Sequence, residues 1–191
     1  MVREGSLATE AFRMFSGWAI RFKVAANGRR QILDVLLPGD FLTPVSIHDA
    51  DAPATYAVET LTDASFCAFS PSAIAGFLSE KPLLDGRIAL PKRGSARERI
   101  AELVFHLRDR LRRHEPLLDL GFVFPLRRGE LADLLGLTSL QVSRALSALR
   151  HDGFLEISDG TIKILNYEAL GELANRSCSV PSQPAGAWAI G

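Results

Sequence analysis

Residues 126–144 read LRRGELADLLGLTSLQVSR, and this stretch decides the fold of the C-terminal part of the chain. Its first half, from Leu126 to Leu135, has the apolar spacing of a short amphipathic helix, and Gly136 ends that helix. Thr138 can cap a second helix, because Gln141 three residues later completes a capping box. The stretch therefore predicts two short helices joined by a tight turn.

The second helix is predicted to run from Ser139 to about His151, with Val142, Leu146 and Leu149 facing inward. Three positions match what a helix-turn-helix requires, namely a small residue where the helices cross, a glycine in the turn and a β-branched plug. These positions are Ala132, Gly136 and Val142. After the helix, residues 153–157 and 161–165 flank an Asp-Gly turn at Asp159, which predicts a β-hairpin. Two helices followed by a hairpin form a winged helix-turn-helix.

The polar face of the second helix is the candidate surface for reading DNA bases. Arginine can bind a guanine edge with two hydrogen bonds, and glutamine and serine can reach bases or phosphates. The predicted base contacts are Ser139, Leu140, Gln141, Ser143 and Arg144. The predicted phosphate contacts are Arg127, Arg128 and Thr138, at the starts of the two helices. The alternative for Arg144 is a solvated surface arginine, but its place within a complete motif favours DNA contact.

A longer helix is predicted over about Ser95 to His114. Four apolar residues, spaced four, three and four apart, form the seam of a coiled coil over about two heptads: Ile100, Val104, Leu107 and Leu111. Six arginines surround this seam, and His106 and His114 are expected on the solvated side. The spacing fits a dimerisation helix, and it fits equally an amphipathic helix that packs on its own domain.

Residues 1 to about 70 are typical of short strands and turns. Alternation from Trp18 to Val24 predicts a half-buried strand, and Asn27-Gly28 predicts a two-residue hairpin turn into a strand over residues 31–37. A further strand pair is predicted at residues 56–61 and 65–69, followed by a helix that Ser70 caps and Lys81-Pro82 ends. These elements predict a small antiparallel barrel or sandwich.

The 22 basic and 22 acidic side chains of this 191-residue chain give a net charge of zero, which excludes a uniformly basic nucleic-acid coat. The charges are unevenly distributed, because residues 91–150 hold 12 basic and 7 acidic side chains. No apolar run reaches membrane-spanning length, and the polar N-terminus is unlike a signal peptide. We therefore expect a cytoplasmic protein with a local basic patch around the long helix and the helix-turn-helix.

The chain resembles the CRP/FNR transcription regulators over about residues 5–170. The likeness rests on residues 27–32, 37–40 and 61–63, on Glu130–Thr138, and on Val142-Ser-Arg144, in the order of that family. The resemblance implies an α+β chain with an N-terminal antiparallel β-roll (a double-stranded β-helix), a long dimerisation helix and a winged helix-turn-helix. It also implies a homodimer on a palindromic operator, contact with RNA polymerase, and Arg144 in the position of the guanine-reading arginine.

The corresponding division of the chain is a β-roll sensor over residues 1–92, the dimerisation helix over 93–116, the DNA-binding domain over 117–174 and a disordered tail over 175–191. The resemblance places an effector pocket at Gly39, Asp40, Phe41, Thr55 and Tyr56. Ala54 stands where cyclic-nucleotide-binding members carry an arginine for the phosphate, so cyclic AMP is not expected as the ligand. Leu140 stands where many members carry a glutamate, and it could contact a thymine methyl group. The family's first β-roll strand is expected to be missing here.

Other chemistry is not supported by the sequence. Two cysteines cannot supply the four ligands of an iron–sulfur cluster, and neither haem nor a metal site is expected. Cys67 is expected in the core, and Cys178 lies in the tail. No catalytic motif occurs, so we predict no enzyme. The alternative function is a ligand-binding β-roll whose winged helix contacts protein instead of DNA, and salt dependence of duplex binding separates the two.

Overall fold

The computed structural model describes residues 4–5, 10–42, 54–70, 94–115 and 120–174. The predicted helix after Ser70 and the predicted tail lie outside these residues. The described residues form eight strands and four helices. The strands are β1 (Ala11–Ser16), β2 (Ala19–Val24), β3 (Arg30–Leu36), β4 (Ala57–Thr60), β5 (Ser65–Phe69), β6 (Gly121–Val123), β7 (Leu155–Ser158) and β8 (Thr161–Ile164). The helices are α1 (Ala96–Arg112), α2 (Arg128–Leu135), α3 (Ser139–His151) and α4 (Tyr167–Leu173).

Two antiparallel sheets form the N-terminal β-roll. One has the order β3-β2-β4, and the other pairs β1 with β5. Apolar residues from both sheets fill the space between them, namely Met14, Ala19, Leu36, Leu42, Tyr56 and Val58. The prediction that residues 56–61 and 65–69 pair with each other was wrong, because β4 pairs with β2 and β5 pairs with β1. Both segments are strands, but the chain crosses between the sheets after β4.

The hairpin of β2 and β3 is confirmed, with a loop one residue longer than the sequence predicted. The amide of Ala25 donates to the carbonyl of Arg29 at 2.9 Å, and the amide of Gly28 donates to the carbonyl of Ala25 at 2.8 Å. Three residues therefore close the loop, and Gly28 takes a positive φ of 78° there. On β5, Cys67 is exposed, so its predicted place in the core was wrong.

Helix α1 begins at a complete capping box. The Ser95 hydroxyl accepts from the amide of Glu98, and the Glu98 carboxylate accepts from the amide of Ser95 at 2.9 Å. The helix is then covered on nearly every side. Two of the arginines around the seam, Arg108 and Arg110, are only 3% and 8% exposed. His106 is half-buried, so its predicted place on the solvated side was wrong, whereas His114 is exposed as predicted.

The four residues of the predicted seam are covered by the chain itself. Ile100, Val104, Leu107 and Leu111 are between 0 and 6% exposed in the single chain. They belong to one continuous apolar core with Trp18, Ile32 and Val35 of the β-roll and with residues of α2 and α3. In this chain α1 is thus an amphipathic helix packed on its own protein, and dimerisation through the seam stays a prediction.

The C-terminal part folds as a winged helix-turn-helix. Helices α2 and α3 pack together, and β6, β8 and β7 form a three-stranded antiparallel sheet in that order. The predicted Asp-Gly turn is confirmed, because Ser158 pairs with Thr161 and both Asp159 and Gly160 take positive φ values of 49° and 70°. The strand β6 had no sequence signal, because its three residues are too few to show an alternation. None of the described helices is long and apolar enough to cross a membrane.

Candidate nucleic-acid interface

The start of α3 is fixed by the capping box that the sequence predicted. The Thr138 hydroxyl accepts from the amide of Gln141 at 3.2 Å, and the amide of Thr138 donates to the side-chain oxygen of Gln141 at 2.8 Å. The side-chain oxygen of Gln141 is therefore used within the chain. Its side-chain N–H groups, which no described hydrogen bond uses, are left to contact a partner.

The turn between α2 and α3 holds the two helices at a fixed spacing. Gly136 ends α2 with a φ of 61°, and the next amide, that of Leu137, donates back to the carbonyl of Ala132 at 2.8 Å. The inner face of α3 is then buried through Val142, Ala145 and Leu149. The predicted plug at Val142 is completely covered, and the opposite face of α3 is consequently directed outward.

The outward face of α3 is open. Ser139, Leu140, Gln141 and Arg144 are exposed, and Ser143 is half-buried. Leu140 is 59% exposed and adds an apolar group to this face. Arg144 forms no ion pair with any described residue. A free arginine beside an apolar group and hydroxyls, on one helix face, is a suitable surface for base edges in a major groove.

Two exposed arginines stand at the beginning of α2, where phosphate contacts were predicted. Arg127 and Arg128 are both exposed, and the amide of Arg127 donates to the Glu130 carboxylate at 2.6 Å. A third arginine, Arg150 near the end of α3, lines the same cavity as these two. Arg150 was not among the predicted site residues, although it lies seven residues after Ser143, two helical turns along the same face.

The far end of α3 is held by α1. Arg97 of α1 forms an ion pair with Asp152, the residue that ends α3, and its guanidinium lies 5.7 Å from the centre of the Phe154 ring. His151 contacts the same carboxylate at 3.2 Å. The hydrogen bond with His151 and the contacts with Arg97 lower the pKa of the Asp152 carboxyl, so Asp152 is negatively charged beside the Arg97 guanidinium at neutral pH. The orientation of α3 is thereby coupled to α1.

The turn before Phe41, where the effector pocket was predicted, is occupied by an arginine of α1. Arg110 forms an ion pair with Asp40 and donates to the carbonyl of Val35 at 2.9 Å. The same carboxylate oxygen of Asp40 accepts from the amide of Leu37 at 2.7 Å. The turn is therefore part of the joint between the β-roll and α1.

A second arginine covers the neighbouring positions of the predicted pocket. Arg21 is buried, donates to the carbonyl of Phe41 at 3.0 Å and lies 4.5 Å from the centre of the Tyr56 ring. Arg13 donates to the carbonyl of Gly39 at 3.1 Å, and Thr55 is exposed. Gly39, Asp40, Phe41 and Tyr56 thus each contact an arginine of the chain itself. No three potential ligands among the described His, Cys, Asp and Glu side chains come together as a metal site.

The chain matches known proteins along most of its length. Residues 98–173 match the family model described as "Crp-like helix-turn-helix domain", and residues 1–81 match "Cyclic nucleotide-binding domain". The nitrogen fixation regulation protein FixK of Bradyrhizobium diazoefficiens is 30% identical, and the alignment covers 90% of this chain and 76% of FixK. The transcriptional activator protein FnrL of Cereibacter sphaeroides is 31% identical, with 74% of this chain and 63% of FnrL covered.

Solved structures share the fold. The structure of FixK2 from Bradyrhizobium japonicum superposes with a TM-score of 0.70 at 24% identity and covers 94% of this chain and 93% of its own. A CRP-family transcriptional regulator from Thermus thermophilus gives 0.68 at 22% identity, with 92% and 95% covered. A β-roll, a long helix and a winged helix with an open recognition face define a DNA-binding transcription regulator. The chain belongs to the CRP/FNR family of these regulators.

Proposed function

We propose that the chain regulates transcription by inserting α3 into the major groove of an operator, with Arg144 reading a guanine. The observation that carries this proposal is the open face of α3, on which an arginine without an ion pair to any described residue stands beside exposed Leu140 and Ser139. Leu140 would contact a thymine methyl group, and Ser143 and Gln141 would hydrogen bond to bases or phosphates. Arg127, Arg128 and Thr138 would hold the backbone. The function is regulatory and not enzymatic.

Replacing Arg144 with alanine should weaken binding to the operator by about 1–3 kcal/mol, or roughly 5- to 150-fold, because a two-pronged contact to guanine is lost. The measurement is fluorescence anisotropy of a labelled duplex at fixed salt, compared with a scrambled duplex. Binding to the scrambled duplex should change much less. Equal loss on both duplexes would contradict base reading by Arg144.

The matched control is the double variant Arg127→Gln, Arg128→Gln. It should weaken operator and scrambled duplex by similar factors, because phosphates carry no sequence. It should also reduce the slope of log affinity against log salt by roughly 2, at about 0.9 for each lost phosphate contact. An unchanged slope would show that neither arginine contacts a DNA phosphate.

We propose further that two copies bind one two-fold symmetric site, as one recognition helix per chain and the family's regulators suggest. An interface built from Ile100, Val104, Leu107 and Leu111 would require these residues to exchange contacts within the chain for contacts with a partner. RNA polymerase as a partner and a cytoplasmic location remain predictions.

We also propose that the β-roll does not bind cyclic AMP. Ala54 is buried and offers no cation for a phosphate, and the Asp40 carboxylate is already paired with Arg110. The unfolding temperature should therefore stay within about 1 °C on addition of cyclic AMP at roughly 1 mM, whereas a ligand at a hundredfold its Kd adds about 2.7 kcal/mol. A rise of several degrees would contradict this.

A further inference from the structure

A cavity lies within the DNA-binding domain, between the start of α2, the second half of α3 and the hairpin of β7 and β8. Its volume is about 380 Å³, within the range of small-molecule sites. Its lining divides into two parts. The inner part is apolar and includes buried Phe124, Leu126, Leu131 and Leu155.

The outer part of the cavity is cationic. Arg127, Arg128 and Arg150 line it, all three are exposed, and none forms an ion pair with a described residue. The nearby carboxylate of Glu130 accepts from the backbone amide of Arg127. Ser147, which is exposed, and the half-buried Leu146 also line the cavity, and the serine adds a hydroxyl. Three free guanidinium groups at the opening of an apolar space are complementary to an anion with an apolar body.

We propose that this cavity, which we call the α2–α3 groove, binds a small amphipathic organic anion of the aromatic carboxylate class. The carboxylate would pair with arginines at the opening, and the ring would cover Leu126, Leu131 and Leu146. A DNA phosphate would use the same cations but would leave the apolar walls without a partner. Bound anion and DNA therefore compete. Only this competition rests on the proposed function; the binding itself does not.

The contacts of the β-roll also favour the α2–α3 groove as the effector site. At the turn where the family resemblance places the effector pocket, the polar groups are engaged by Arg110 and Arg21 of the chain itself. In the α2–α3 groove the arginines are free of ion pairs with described residues, and the cavity is open to solvent.

The test uses the full chain and two probes of equal shape, naphthalene-2-carboxylate and its neutral analogue naphthalene-2-carboxamide, titrated by calorimetry without DNA. The carboxylate should bind about tenfold more tightly or better, because its charge pairs with arginine. Equal affinities, or no binding of the carboxylate at millimolar concentration, would overturn the proposal.

Two variants locate the site. Ser147→Phe places a ring in the opening at an exposed position, so the fold is retained and carboxylate binding should be lost. Arg150→Gln should weaken carboxylate binding about tenfold and leave carboxamide binding unchanged. The matched control is Arg29→Gln, which removes the same charge from the exposed β2–β3 loop and should change nothing. Unchanged binding in Ser147→Phe would place the anion elsewhere and overturn the proposal.

Competition is then measured separately by adding the carboxylate to the labelled duplex. Once the carboxylate concentration exceeds the Kd of the carboxylate for the protein, the apparent Kd for DNA should rise in proportion to that concentration. If the carboxylate binds in the groove while DNA affinity stays constant, the groove is a ligand site and the assignment of Arg127 and Arg128 to phosphate contact fails. If the carboxylate binds no more tightly than the carboxamide, and Ser147→Phe and Arg150→Gln change nothing while DNA binding is intact, the groove proposal fails and the proposed DNA-binding function stands.

Discussion

Replacing Arg110 with methionine is expected to lower the free energy of unfolding by about 3 kcal/mol. This is the lower end of the roughly 3–5 kcal/mol that removing one partner of a fully buried ion pair costs, because the Asp40 side chain is still 20% exposed. Arg110 is 8% exposed and binds both the Asp40 carboxylate and the carbonyl of Val35. Methionine fills a similar space but leaves the carboxylate and the carbonyl without this donor. The loss should also loosen the β-roll from α1, because this contact joins them.

Urea unfolding followed by circular dichroism measures the effect. The matched control is Arg112→Met, two residues further along α1. The Arg112 side chain is half-buried and forms no comparable ion pair with a described residue. Its replacement should lower the free energy of unfolding by less than about 1 kcal/mol. Similar losses of unfolding free energy in the two variants would show that the contacts of Arg110 with Asp40 and Val35 do not stabilise the joint between the β-roll and α1.

Replacing Leu107 with alanine is expected to cost about 2–5 kcal/mol of unfolding free energy, because the cavity left in a close-packed core collapses only partly. Leu107 is completely covered within the single chain and belongs to the core that joins the β-roll, α1 and the winged helix. The loss should be the same at low and high protein concentration, since the contacts lie within one chain.

The comparison for Leu107 is Leu165→Ala, where the side chain is about half exposed and the expected cost is below about 0.5 kcal/mol. Sedimentation at several concentrations completes the test. If Leu107→Ala leaves monomer stability unchanged but weakens a dimer, the coiled-coil alternative for the α1 seam is correct and the packing described here does not hold in solution.

The winged helix-turn-helix could be predicted closely because its signals are local. The capping box of Thr138 and Gln141, the left-handed Gly136 and the Asp-Gly turn each specify their own geometry within four residues. The recognition face followed from helical spacing alone. Helical spacing from Ser143 could have placed Arg150 on the outward face of α3, but the cavity that it shares with Arg127 could not be predicted from spacing.

The β-roll and α1 could be predicted only in part, because their decisive contacts are distant in sequence. Strands β4 and β5 were both predicted, but their pairing with β2 and β1 depends on contacts between residues 35 to 58 positions apart in sequence. Cys67 was assigned to the core from its apolar neighbours, yet β5 is exposed along its whole length. The periodicity of α1 indicated an apolar face but could not say which surface covers it.

The predicted effector pocket at the turn of residues 37–40 also depends on contacts that are distant in sequence. Its sequence resembles the family's effector region, and the resemblance placed a pocket there. The arginine that occupies it comes from α1, 70 residues further along the chain. Sequence order alone could not relate Asp40 to Arg110.

The most direct test of DNA reading by α3 is selection of bound duplexes from a random library, carried out with the wild type and with Arg144→Ala. The wild type should enrich a two-fold symmetric sequence with one G·C pair in each half-site. The Arg144→Ala variant should no longer select that pair but should keep the preferences at the flanking positions. Enrichment of the same sequence by both proteins, or of no sequence by the wild type, would contradict the account.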